Sequence, residues 1–400
     1  MRLRIEKSIL NGDVIAPASK SVTHRVLIAS ALSRKLCHVE NIVYSEDVCA
    51  TLDCLKQLNC EVTENYDSVE INGENIFKQI NGDLNCRESG STLRFLIPVA
   101  LLTNKYITFT GSERLLERPI NDYEQLCQEN NFFFEKKVNK ITVKGKLQPQ
   151  MYQLIGNSSS QFASGMLLAL SALSGKSIIK INKNLQSKAY IELTKTVLDK
   201  FGVNIILTDE LISIDSQGYT AQNWKIEADM SNSAYLYCYN YLGGNVDILN
   251  DNPDSMQKDK VFHYLFKKIC QGKPIIDVAD CPDLAPILIS LAAVKNGVIL
   301  LNTARLAIKE SNRSLAMQEE LAKFGVNIIV EENKIIVPKT ELIKPKEIIE
   351  SHNDHRIVMA LMPLLTLTSG KMNNAEAVNK SFPNYFKLLQ QLGCKLYREE

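Results

Sequence analysis

The chain lacks most features that would place it outside the ordinary soluble proteins. No apolar run reaches the roughly 18 residues a membrane span needs, and charges interrupt the opening segment MRLRIEKSILNGD, so no secretory leader and no membrane association are expected. Neither GxxxxGK(S/T) nor GxGxxG occurs, which leaves a nucleotide cofactor without support. The 46 basic and 45 acidic residues give a formal net charge of +1. That is too little for a whole-protein nucleic-acid footprint, although a local basic cleft stays open. The ten cysteines include no CxxC pair and no zinc-like grouping, which points to reduced thiols in a cytoplasmic protein. Cys37, Cys49, Cys54 and Cys60 read as small apolar residues. His352 and His355 in HNDH stand without a partner cluster, so no metal is expected.

What is present is a repeat. With 400 residues, 45% of them hydrophobic, the chain exceeds one ordinary core. LDKFGVNIILTDELISI (198–214) and LAKFGVNIIVEENKIIV (321–337) both read as a helix end, a glycine cap at Gly202 or Gly325, a strand, a polar turn and a second strand. Weaker copies begin at 55, 126 and 389, with a degraded one at 265–277. A polar cluster leading into an apolar helix recurs in step, marked by Ser21, Ser91, Ser160, Ser233, Asp283 and Asp354. The intervals are 70, 69, 73, 50 and 71 residues, which makes six units of roughly β-α-β-α-β-β form. The Ala/Leu/Ile/Met helices have little polar face and are expected inside a ring of outer elements. Six units divide as three plus three. The expected domains are residues 1–17 with 226–400, and an inserted 18–225, with a ligand cleft between them.

Helix starts favour anions, because free N–H groups and the helix dipole point there. Ser, Asn and Asp at such places are most often simple caps. Capping does not require the Lys20, Arg25, Arg94, Gln161 and Arg356 gathered with them, which suit a multiply anionic ligand. In ASKSVTHR, Ser19 reads as the cap, while Thr23 and His24 read as helix surface. Arg114, Arg118 and Lys380 add further charge. Lys309, Glu310 and Arg313 fit either a solvated helix ion-pair face or a proton-handling carboxylate flanked by cations.

The motifs SKSVTHR, SGSTLRF, ERLLERPI, SSQF, SKAYIELT, DCPDLAP, IKESNR, NDHR and NKSFPNYF run in order from about residue 18 to 386. Together they closely resemble the 5-enolpyruvylshikimate-3-phosphate synthase family, the 3-phosphoshikimate 1-carboxyvinyltransferases. The resemblance implies an α/β two-domain enolpyruvyl transferase fold with six β-α-β-α-β-β units. It implies transfer of the enolpyruvyl group of phosphoenolpyruvate to the 5-hydroxyl of shikimate-3-phosphate, without metal or organic cofactor, by a protein expected to be a monomer. Lys20, Gly90, Arg118, Gln161, Arg313, Arg356 and Lys380 would then bind phosphoenolpyruvate. Lys20, Ser21, Arg25, Ser159, Ser160, Gln161, Ser187, Tyr190, Asp283 and Lys309 would bind shikimate-3-phosphate. Asp283 would accept the hydroxyl proton, and Glu310, with Lys20, would protonate the methylene carbon.

Departures from the family pattern are Arg87-Glu88-Ser89 before Gly90, Phe95 after Arg94, Asn312 in the KE motif, and Arg305. The related UDP-N-acetylglucosamine transferase carries a Cys on the loop that here reads GSERLLERP. A non-catalytic repeat protein for phosphorylated ligands is the remaining alternative.

Overall fold

The computed structural model describes residues 1–153, 160–181 and 188–399. Among the described residues, five four-stranded sheets and one two-stranded sheet carry the repeat. Leu84–Asn85, Ile107–Thr110, Lys140–Lys144 and Phe133–Lys137 show the pattern: the first pair is parallel, and the next two pairings are antiparallel. Ile275–Asp277, Val298–Leu301, Lys334–Val337 and Ile329–Glu331 repeat it. The terminal strand Arg2–Ile5 lies between Gly370–Asn373 and Leu396–Glu399, antiparallel to both. The 50-residue interval matches a reduced unit, in which Asn245–Ile248 pairs only with Asn11–Val14.

Between its strands each full unit has an inner and an outer helix. The inner helices Lys20–Leu32, Gly90–Ala100, Ser160–Leu170, Ala285–Val294 and His355–Thr368 are buried almost throughout. Their alternation of Ala with large aliphatic residues lets every face pack. In the first three, the residues that escape full burial are Lys20, Ser21, Ser91 and Gln161, all in the first turn. An apolar helix that opens to solvent only at its start presents polar groups there and nowhere else.

A second recurrent device turns the chain after the outer helix of each full unit. Asn59, Asn131, Gly202, Gly325 and Gly393 all have positive φ, between 55° and 95°. In each case the following N–H returns to the carbonyl five residues back, at 2.7–3.1 Å. This is the left-handed helix stop that Gly, and secondarily Asn, adopt at least cost. Gly272 in the reduced unit has φ 174° instead, and the strand after it joins the next sheet.

The chain divides into two compact units, Met1–Pro17 with Ala228–Glu400, and Ala18–Glu227. Among the described residues no helix is long and apolar enough to cross a membrane. All ten cysteines are free thiols, eight of them buried.

The helix stop is testable at Gly393, where an added Cβ would meet no heavy atom closer than 3.6 Å. Gly393→Ala should therefore cost about 1–2 kcal/mol from backbone strain alone. Gly393→Asn, the residue used at positions 59 and 131, should cost clearly less. Equal losses in thermal melts of the two variants would contradict this account.

Candidate functional site

On the Ala18–Glu227 unit, Ser19 has extended backbone and its hydroxyl accepts from the Val22 N–H at 3.4 Å. Ser19 is therefore the cap, and Lys20 and Ser21 fill the first turn. Lys20 Nζ lies 2.7 Å from Asp47 Oδ2, which comes from the first turn of the Glu46–Gln57 helix. The expectation that Thr23 and His24 are helix surface is overturned, because both are fully buried. Thr23 donates to the Ser19 carbonyl at 2.7 Å. His24 Nδ1 lies 2.8 Å from the Thr51 hydroxyl, which lies 2.7 Å from Thr92, which in turn donates to Ser89 at 2.7 Å. Polar letters on this helix serve a buried chain that ties the first repeat to the cap of the second. Burial, reinforced by the charges of Lys20 and Arg25, holds His24 well below its ordinary pKa, so the ring is neutral.

Arg25 is also buried. Its guanidinium donates to the hydroxyls of Thr194 (2.7 Å) and Ser164 (3.3 Å) and to the carbonyls of Ser21 (2.6 Å) and Tyr190 (3.1 Å), and lies over the Phe95 ring. Burial pushes it down to about 10. Its charge thus sits directly behind Ser21 and Tyr190. Ser160 is buried at its helix start, and Gln161 donates to the Ser91 hydroxyl at 3.1 Å. Ser159 and Ser187 lie outside the described residues.

Gly90 opens the second inner helix, with Ser89 as cap. A Cβ on Gly90 would lie 2.5 Å from Arg118 Nη1 and 3.0 Å from Arg94 Nη1. Two guanidinium groups therefore press on a helix start whose dipole already favours an anion, and the missing side chain makes room for them. Arg94 is fixed by donation to the Pro119 carbonyl at 3.0 Å, and its own carbonyl accepts from the Tyr123 hydroxyl. Arg118 ends the short helix Glu113–Glu117 in extended backbone, ahead of Pro119.

On the other unit, Asp283 precedes the inner helix Ala285–Val294 and faces Arg313 Nη1 at 2.8 Å, Lys309 Nζ at 3.4 Å and Arg356 Nη2 at 3.5 Å. Burial works to raise its pKa, but Lys309, Arg356 and Arg313 hold it well below the usual carboxylate range. Asp354 is wholly buried. It accepts from Arg313 at 2.8 and 3.2 Å and from Ser311, and caps its own helix by accepting the Arg356 N–H at 2.9 Å. Burial opposes ionisation of Asp354, and Arg313 overcomes that. Arg356 also donates to Asn232 at 3.0 Å and Ser231 at 2.7 Å. Glu310 lies 2.8 Å from His355 Nδ1 and 3.9 Å from Arg313. Lys380 donates to the Asn353 carbonyl at 2.5 Å.

Lys309 and Glu310 precede the helix Arg313–Ala322, whose cap is Asn312. They therefore form no solvated helix face, and the Arg313 that Glu310 approaches is buried. Sequence reasoning missed Asp47, Ser231 and Asn232, and discounted His355 for want of a local cluster. Their partners lie far along the chain, so spacing carried no signal. Glu310, Asp354 and His355 bring three ligand-type atoms within 4.8 Å of one another, as do Glu319, Glu320 and His352. Arg313 lies against Asp354, and Lys323 against Glu320, so a cation at either place would meet a resident positive charge. Neither group makes a case for a metal.

Neutral His24 has a consequence for acid stability. Its folded pKa is depressed, so below about pH 6.5 the unfolded chain binds the extra proton and stability falls as pH drops. Unfolding free energy should decline by up to about 1.4 kcal/mol per pH unit between pH 6.5 and 5.5 from this group. His24→Gln should flatten that slope in urea titrations; an unchanged slope would remove His24 as its source.

Comparison with known proteins agrees with this geometry. A family model described as EPSP synthase (3-phosphoshikimate 1-carboxyvinyltransferase) matches residues 5–389. The 3-phosphoshikimate 1-carboxyvinyltransferase of Clostridium novyi is 35% identical, covering 98% of this chain and 97% of the relative. The Clostridium acetobutylicum protein of the same name is 36% identical with the same coverage. The fold is that of the EPSP synthase of Acinetobacter baumannii, with a TM-score of 0.81 at 20% identity over 100% of both chains. The family model spans nearly the whole chain, and the relatives match it end to end: the chain belongs to the EPSP synthase family.

Proposed function

We propose that this chain transfers the carboxyvinyl group of phosphoenolpyruvate to the 5-hydroxyl of shikimate-3-phosphate and releases phosphate, a step of aromatic amino-acid biosynthesis. The observation that carries the reading furthest is the partly buried arrangement of Asp283 against Lys309, Arg313 and Arg356, with Glu310 beside Arg313. It joins a proton acceptor, a proton donor and fixed cations, which addition to an enol phosphate requires.

On the Ala18–Glu227 unit, Lys20, the Gly90 helix start, Arg118 and Gln161 are assigned to phosphoenolpyruvate. Ser21, Ser159, Ser160, Ser187 and Tyr190 are assigned to shikimate-3-phosphate, together with Lys20 and Gln161. Arg25 supports that set as the charge behind Ser21 and Tyr190. On the other unit, Arg313, Arg356 and Lys380 are assigned to phosphoenolpyruvate, and Asp283 and Lys309 to the hydroxyl-bearing substrate.

In the addition step the 5-hydroxyl oxygen bonds to C2 of phosphoenolpyruvate. Its proton passes to Asp283, while Glu310, with Lys20, delivers a proton to C3. Elimination returns a proton from C3, breaks the bond from C2 to the phosphate oxygen, and sends the proton held by Asp283 out with phosphate.

A carboxylate braced by three cations is a weak base in the free protein. Phosphoenolpyruvate brings its own carboxylate and phosphate to Arg313 and Arg356, and so competes with Asp283 for them. Asp283 gains basicity as those contacts loosen, which couples proton acceptance to the presence of the enol substrate.

The deciding measurement is phosphate release from phosphoenolpyruvate with shikimate-3-phosphate, using UDP-N-acetylglucosamine as control. Release is expected only with the shikimate compound; release only with the sugar nucleotide, or with neither, overturns the reading. Lys20→Met and Glu310→Gln should each lose about 10²-fold or more in kcat while remaining folded by circular dichroism. Near-normal turnover in either would take that residue out of the mechanism. Gly90→Ala should displace the Arg118 guanidinium and raise KM for phosphoenolpyruvate about tenfold or more, with a much smaller change in KM for shikimate-3-phosphate. Equal changes for both substrates would contradict the assignment of that helix start.

A further inference from the structure

His352 and Asn353 both adopt left-handed backbone, with φ of 50° and 53°. Two consecutive non-glycine residues in that region carry strain, and such a turn persists only where its surroundings fix it. Asp354, His355 and Arg356 follow at once, so this turn aims the groups that the His355–Thr368 helix start contributes.

The surroundings centre on Glu320, a wholly buried carboxylate on the Arg313–Ala322 helix. Its oxygens accept from Lys323 Nζ at 2.9 Å each and from the Glu350 N–H at 2.9 Å, and lie 3.0 Å from His352 Nε2. Lys323 also donates to the Ile348 carbonyl at 3.0 Å. The Glu320–Lys323 pair thus ties down Ile348, Glu350 and His352, immediately upstream of Asp354, His355 and Arg356. The same helix begins with Arg313, which holds Asp354 beyond the turn. The turn is clamped on both sides by a single helix. A Glu320–Lys323 pair alone would satisfy the buried charge, so the bond to His352 adds something that burial does not demand.

We propose that Glu320, acting through His352, is a positioning residue: it fixes the 351–354 turn and thereby sets His355 against Glu310 and Arg356 against Asp283. The proposal rests on the reaction assigned above. The hydrogen bond that His352 donates to Glu320 raises the His352 pKa; burial and Lys323 oppose this, and the charges of Glu320 and Glu319 add to it. Protonation therefore strengthens the tie.

Glu320→Gln would leave Lys323 facing a neutral group and could prevent folding, so the test uses His352, whose side chain is 25% exposed. His352→Ala in the full chain should lower kcat about tenfold to a hundredfold, with a melting temperature within a few degrees of the unaltered chain. His352→Gln, which can still donate to Glu320, should recover most of that loss. Full turnover in His352→Ala, or no recovery in His352→Gln, overturns the proposal. Absence of turnover in the unaltered chain overturns the reaction assignment instead. The positioning claim is then decided in the free protein by imidazole NMR. The His355 ring signals should shift in His352→Ala and return in His352→Gln, and unshifted signals overturn it.

Discussion

Keeping Arg313 and Arg356 charged away from water is the constraint on which the site of the Ala228–Glu400 unit depends. Both are about 2% exposed, and an isolated buried guanidinium would be several kcal/mol unfavourable. Asp354 and Asp283 offset that cost by geometry. Asp354 does so while capping the helix that carries Arg356, so one carboxylate belongs to the fold and to the site at once. Removing Asp354 would therefore disturb both the ion pair with Arg313 and the helix start that carries Arg356.

The Ala18–Glu227 unit handles the same problem with different chemistry. Arg25 is surrounded by hydroxyls and carbonyls rather than carboxylates, so its positive charge is left less cancelled. Its lowered pKa is the direct result of that burial. Lys20 is the counterexample on this unit, neutralised by Asp47 at 2.7 Å. Arg118 and Arg94 press against Gly90, where the absence of a side chain is a steric requirement. One unit therefore holds its buried guanidinium groups on carboxylates. On the other, Arg25 rests on hydroxyls and carbonyls, and two guanidinium groups crowd a helix start.

Much of the fold was legible in the chain because its repeat is punctuated by local chemistry. A left-handed residue follows the outer helix of every full unit, and Gly202 and Gly325 announced it openly. Asn59 and Asn131 do the same work less visibly, which is why those copies read as weaker. The reduced unit also left a trace in its 50-residue interval, which lacks the chain needed for a hairpin. Local reading failed at Thr23 and His24. A polar residue on an apolar helix looks exposed unless its partner is known, and Thr51 and Thr92 lie in other elements.

By itself the sequence determined the repeat and the family, because both are written in residues close together, and it offered candidate cations, carboxylates and hydroxyls while missing Asp47, Ser231 and Asn232. Only the tertiary structure decided what those groups face. Arg313 meets Asp283 across 30 positions and Asp354 across 41, and Glu310 meets His355 across 45. Charge state, basicity and orientation follow from distances and burial at that range. A linear pattern specifies which residues are available, and folding sets the electric field each one experiences.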